Sequence, residues 1–192
     1  MRSSSTRRRA ARPFLALLAM LAGLSGTTAA ECHEGHPIIL GWLEWASLEP
    51  AHILLKAKLD SGAKTSSLSA IDVEPFERDG AAWVRFTVPI SAADGGTDHR
   101  QKIAMERALQ REALIKRHDA APALRPVVEI GVCVGGTHFT TPVTLTDRSH
   151  FNYPLLLGRS ALRDRALIDV AHTYLSAARA ESCGAPRKVG VE

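Results

Sequence analysis

Asp60 closes an apolar run (Ile53, Leu54, Leu55, Leu59) and is followed by Ser61, Gly62 and Ala63. A carboxylate at the tip of a strand that stops in a turn can act as a general acid or base on water. Ser61 brings a hydroxyl that can hydrogen-bond backbone groups and hold the turn. Gly62 permits a positive φ and close approach of a partner or ligand. Alone, Asp-Ser-Gly is also a common turn sequence. It gains weight from a second stretch, Tyr153-Pro154-Leu155-Leu156-Leu157-Gly158-Arg159-Ser160-Ala161-Leu162, an apolar strand running into Gly-Arg and then a short helix.

Other reactive side chains have plainer roles. The Lys64 ammonium would lower the Asp60 pKa if it pointed inward, but the side chain is expected to snorkel to solvent. Asp147 and Arg159 are expected to be scaffold, as an ion pair or as hydrogen bonds bracing the strand-to-helix turn. His33-Glu34-Gly35-His36 beside Cys32 offers imidazole and thiolate ligands for zinc. That segment is terminal and lacks fixed geometry, so no metal site is assigned to it. His99, His118, His138, His150 and His172 are scattered without ligand spacing. Trp42, Trp45 and Trp83 sit in strand-like runs and are expected in the core. No cofactor is implied.

The elements that must position Asp60 read as an all-β protein. Candidate strands are 38–45, 52–59, 67–71, 83–88, 127–134, 138–145, 155–157, 167–170 and 173–176. They are short, rich in Val, Ile, Leu, Thr and Trp, and bounded by Gly, Pro and Asp. Asp79-Gly80 and Gly135-Gly136 read as hairpin turns, and 160–165 as one short helix. Residues 101–116 have a helix-forming composition, with Ile103, Ala104, Ala108 and Leu109 as the apolar positions.

Residues 1–30 read as an export signal, with a cationic start at Arg7, Arg8, Arg9 and Arg12, an apolar run from Phe14 to Leu24 and small residues at Thr28-Ala29-Ala30. They hold five of the 24 basic residues and no acid, so the remainder carries 19 basic against 20 acidic residues. The net charge of +4 therefore belongs to the signal, and nothing points to nucleic acid. Residues 31–37 are an N-terminal flank, 38–176 one domain and 177–192 a loose tail. The product is expected in the periplasm or secreted, with no membrane insertion after cleavage. In an oxidising compartment three cysteines leave one over. Cys32 and Cys183 are expected to staple the termini, and Cys133 to be a small buried apolar residue.

Asp-Ser/Thr-Gly-Ala is the active-site signature of aspartic peptidases, and the strand into Gly158-Arg159 is similar to the one that packs near the catalytic loop of retropepsins. The chain resembles bacterial retropepsin-like proteins often labelled ATP-dependent zinc proteases. The likeness runs through Gly41–Glu44, Lys58–Leu68, Arg125–Val128, Thr144–Arg148, Leu155–Arg159, Ile168–Val170 and Tyr174-Leu175. Ser61 stands where Thr is usual, and the hydroxyl survives. Neither a phosphate-binding Gly-x-x-x-x-Gly-Lys-Ser/Thr loop nor a His-Glu-x-x-His helix is found, so the sequence supports neither half of that label.

The resemblance implies a closed β-barrel-like retropepsin fold in which residues 91–125 contain a flap or insertion, a hairpin around 114–125 lying over the site. It implies an aspartic endopeptidase acting on peptide or protein substrates, with Asp60 catalytic and Ser61, Gly62 and Ala63 forming the active-site loop. Gly158 and Arg159 would be structural near the site. Such a mechanism needs two carboxylates, one ionised and one protonated. One motif per chain then requires a homodimer, with Ser61 locking the two loops. The alternatives are a non-catalytic peptide-binding or assembly module on the same fold, and a zinc hydrolase.

Overall fold

The computed structural model describes residues 36–90, 101–115, 121–176 and Cys183. The export-signal segment, Cys32, His33, Glu34, His99, His118 and nearly all of the tail lie outside the described residues.

β3 (Ile53–Asp60) shows how the sequence makes its strands. Ile53, Leu55, Ala57 and Leu59 are buried, while Leu54, Lys56, Lys58 and Asp60 between them are half-buried. That alternation is the period of two imposed by a pleated strand, with apolar side chains on the core face. The other elements are β1 (Ile38–Gly41), β2 (Leu43–Glu49), β4 (Ser66–Ser69), β5 (Ile71–Arg78), β6 (Ala81–Ile90), β7 (Gln101–Ile115), β8 (Ala123–Val134), β9 (Thr137–Thr146), β10 (Leu155–Gly158), α1 (Arg159–Leu162) and β11 (Ala166–Asp169).

Pairing runs β2-β3-β10-β4-β9-β8, and β8 returns to β2, so six strands close into a barrel. Closure removes the open edges that other chains could pair with. β7, β6 and β5 extend from β8 as antiparallel neighbours, and β1 and β11 form a separate parallel pair. Leu48, Leu55, Leu68, Ile130, Leu145, Leu155 and Leu157 are among the core side chains, each at most 2% exposed. Burying a leucine is worth roughly 1.5–3 kcal/mol, so this core carries the fold. The all-β, retropepsin-like barrel with one short helix is as the sequence predicts.

Several details differ. The run 38–45 breaks at Trp42, whose amide bonds the carbonyls of Asp169 and His172 at 3.1 and 3.2 Å. Residues 173–176 are not a strand, because Tyr174 takes φ +56° and donates its amide to Leu43. Residues 101–115 form a strand despite their composition, since β6 pairs the first half, 101–108, and β8 the second, 109–115. Tertiary pairing overrides propensity there. The tryptophans are half-buried rather than core: Trp45 stacks on Tyr174, and the Arg78 guanidinium covers Trp83 at 4.6 Å.

The expected Cys32–Cys183 staple is corrected. Cys183 bonds Cys133, with Cα atoms 5.6 Å apart. The cause lies on β2, where the buried Glu44 carboxylate accepts hydrogen bonds from Gly41 N–H, Ser176 N–H and Ser176 Oγ–H. β2 also pairs Ser47 with Cys133. Ser176 is thereby anchored to β2, which pairs with β8, the strand that carries Cys133.

Candidate active site

Asp60 is the last residue of β3 and faces outward on the same side as Lys58. Its Oδ1 accepts hydrogen bonds from the amides of Gly62 (2.9 Å) and Ala63 (3.2 Å), and Lys58 Nζ lies 3.1 Å from Oδ2. The carboxyl is held below the usual carboxylate range, first by the Lys58 hydrogen bond, against a partial desolvation that raises it. The amides of Gly62 and Ala63 add to the lowering. The arrangement is an anionic carboxylate, fixed in orientation and open to solvent.

Gly158 and its successors hold the loop. β10 runs parallel to β3 and sets Gly158 beside Asp60. A Cβ on Gly158 would come within 2.5 Å of the Thr65 carbonyl oxygen, so only glycine lets β10 approach. Gly158 N–H donates to Ser66 Oγ, Arg159 N–H to Ala63 O, and Ser160 N–H and Oγ–H to Lys64 O. Arg159 Nη1 donates to the carbonyls of both Ser61 (2.8 Å) and Gly62 (2.9 Å). Arg159 is therefore the hydrogen-bonding brace, while Asp147 accepts from the Ser149 amide and caps its own turn.

Three of the loop's residues can now be placed. Gly62 does not take a positive φ; a Cβ there would crowd Asp60 Oδ1 at 3.1 Å. The ammonium beside Asp60 is Lys58, and Lys64 is solvent-exposed. Ser61 is exposed, and with Arg159, Leu167 and Val170 it lines a cavity of about 440 Å³.

Sequence reasoning missed Lys58, Arg148 and Trp42. These three and Tyr153 line a cavity of about 470 Å³ that also includes Asp60. Arg148 is buried; its Nε donates to Tyr153 O, its Nη1 to Ser67 Oγ at 2.6 Å, and its guanidinium covers Phe151. Burial lowers its pKa, Arg125 adds to that, and the Asp60 charge opposes both. Lys58 was legible from its spacing two residues before Asp60 on a strand. No local signal marked Arg148. On the other side of the loop, Arg111 of β7 shares a cavity of about 250 Å³ with Lys64 and Thr65. β7 and β8 pair with Leu114 opposite Leu124, while residues 116–120 of the expected 114–125 hairpin lie outside the described residues.

Residues 39–179 match the family model described as the retropepsin-like aspartic endopeptidase RimB. The chain belongs to the RimB-like family. Relatives of this RimB-like chain include a probable α-L-glutamate ligase of Desulfotalea psychrophila, 34% identical over 69% of the chain, and another of Shewanella pealeana, 31% identical over 71%. The matches take in 28% and 29% of those proteins, so the RimB-like chain spans under a third of their length. A crystal structure of a Legionella pneumophila protein of unknown function superposes with a TM-score of 0.61 at 34% identity, covering 72% of the RimB-like chain and 98% of the other.

Proposed function

We propose that this RimB-like chain is an exported aspartic endopeptidase that hydrolyses peptide bonds at the interface of two copies. The observation that carries the reading is the Asp60 carboxylate, set at a strand tip by the Gly62 and Ala63 amides on a loop clamped by Gly158, Arg159 and Ser160. One Asp60 removes a proton from water as the water oxygen attacks the peptide carbonyl carbon. The Asp60 of a second copy, protonated, donates to the carbonyl oxygen. The tetrahedral intermediate then expels the amine, which leaves with a proton. Leu167 and Val170, 57% and 80% exposed, lie beside Ser61 and give a second copy an apolar surface to cover.

An extended peptide would add as a strand against the cleft, with side chains entering the flanking cavities. The cationic lining at Lys58 and Arg148 supports a substrate bearing acidic side chains. The relatives are named for ligating glutamate, a different reaction, and share with this reading only an acidic partner.

The second reading, a binding module without catalysis, has one observation behind it. The Lys58 ion pair keeps Asp60 ionised, whereas an acid–base pair needs one proton on the dyad. Peptide-library digestion by wild type and Asp60→Asn, from acidic to neutral pH and alongside sedimentation, separates the two. Cleavage by a dimer that is lost in the folded variant is expected. Unchanged cleavage in Asp60→Asn overturns the peptidase reading, and peptide binding without cleavage by wild type supports the module.

A further inference from the structure

Away from Asp60, one ligand atom each from Cys133, His138 and Cys183 lies within 4.8 Å of the others. Cys133 on β8 and His138 on β9 face each other across the hairpin, and His138 Nε2 is 3.3 Å from Cys133 Sγ. The second ring nitrogen, Nδ1, is 3.4 Å from Glu49 Oε1, a buried oxygen with no hydrogen bond. A disulfide requires neither an imidazole beside it nor a carboxylate behind that imidazole. Two sulfurs, an imidazole nitrogen and a carboxylate on the far ring nitrogen are what a zinc site uses.

We propose that reduction of the Cys133–Cys183 disulfide converts this cluster into a zinc site. The two thiolates and His138 Nε2 are the protein ligands, Glu49 fixes the imidazole tautomer, and solvent completes the tetrahedron. A dithiol reductant supplies two electrons and itself becomes a disulfide. The Cys133–Cys183 bond breaks to two thiolates, Zn²⁺ binds them, and the reductant's two protons pass to solvent. Zinc holds thiolate sulfur at ~2.3 Å and imidazole nitrogen at ~2.0 Å, so ligand atoms sit roughly 3.5 Å apart. The His138 side chain is 55% exposed, which leaves the ring room to shift into that range beside Glu49. Oxidised, the sulfur–sulfur bond ties the Cys183 segment to the barrel; reduced, the metal does.

The test uses the full chain carrying Cys32→Ser, reduced with a phosphine without oxygen and titrated with Co²⁺, then Zn²⁺. One Co²⁺ per chain is expected, with a thiolate-to-cobalt charge-transfer band that Zn²⁺ abolishes, and the oxidised protein shows no such band. Zn²⁺ also raises the melting temperature of the reduced form alone. His138→Ala weakens binding by on the order of a hundredfold and Glu49→Gln by about tenfold, with the disulfide of the oxidised protein intact. A reduced protein without the band overturns the proposal. So does equal binding in both redox states, which places the metal on His33 and His36, or an affinity indifferent to His138→Ala.

Discussion

Lys58 Nζ stands 3.1 Å from Asp60 Oδ2, two residues apart on one face of β3. The contact orients the carboxylate and charges it at once. A hydrolytic pair built from two such carboxylates must hold one proton between them, so bringing the copies together has to raise one titration against the pull of Lys58. The site's pH behaviour therefore turns on this lysine.

Lys58→Met removes the largest cause of the lowered Asp60 pKa. In wild type the carboxyl titrates below ~3.9, its ordinary value. The stability it adds is present above the unfolded pKa and lost as pH falls through the lower folded one. In Lys58→Met the midpoint moves up towards the ordinary value and the added stability shrinks. A carboxyl-carbon NMR titration of Asp60 checks this, and an unmoved midpoint would show that the backbone amides alone set the charge.

Gly158→Ala drives a methyl into the Thr65 backbone, which cannot swing aside as a side chain would. The loss expected is about 1–3 kcal/mol in urea unfolding, with reduced peptide cleavage because Asp60 shifts with its loop. Wild-type stability would mean that β10 and the Thr65 turn separate readily.

Glu44→Gln replaces one oxygen of a fully buried carboxylate that accepts three donors, Gly41 N–H, Ser176 N–H and Ser176 Oγ–H. A buried donor facing a donor costs about 1–3 kcal/mol. Limited proteolysis then cuts near Ser176 sooner than in wild type. An identical digestion pattern would exclude Glu44 as the anchor.

Leu167→Glu places a charge on an exposed apolar position, so the single chain keeps its melting temperature while association and cleavage fall together. Analytical ultracentrifugation gives the mass. A dimer that persists with full activity would put the contact between copies elsewhere.

Asp60, Gly158 and Arg159 stood out because each belongs to a short motif spelled by neighbouring residues, although Gly158 and Arg159 bond residues more than ninety positions away. Turns at Asp79-Gly80 and Gly135-Gly136 were legible too, and all four residues take positive φ. Arg148 was not, since its partners Ser67 and Asp60 lie far away in the chain and meet it only once β4 pairs with β9 and β10. Residues 101–115 were ambiguous for the same reason: Ala, Glu, Arg and Leu favour a helix, but β6 and then β8 supply a ladder along successive halves. The cysteine pairing depended on where Glu44 fastens Ser176, a contact between residues 132 positions apart.

A side chain on Gly135 would touch Ile38, Leu40 and Ser176 together, so the first strand and the residue that Glu44 fastens share one corner of the barrel. A polypeptide can thus come in and go out of this unit at nearly the same point. Adjacent ends of this kind suit a unit to insertion in a surface loop of a larger protein.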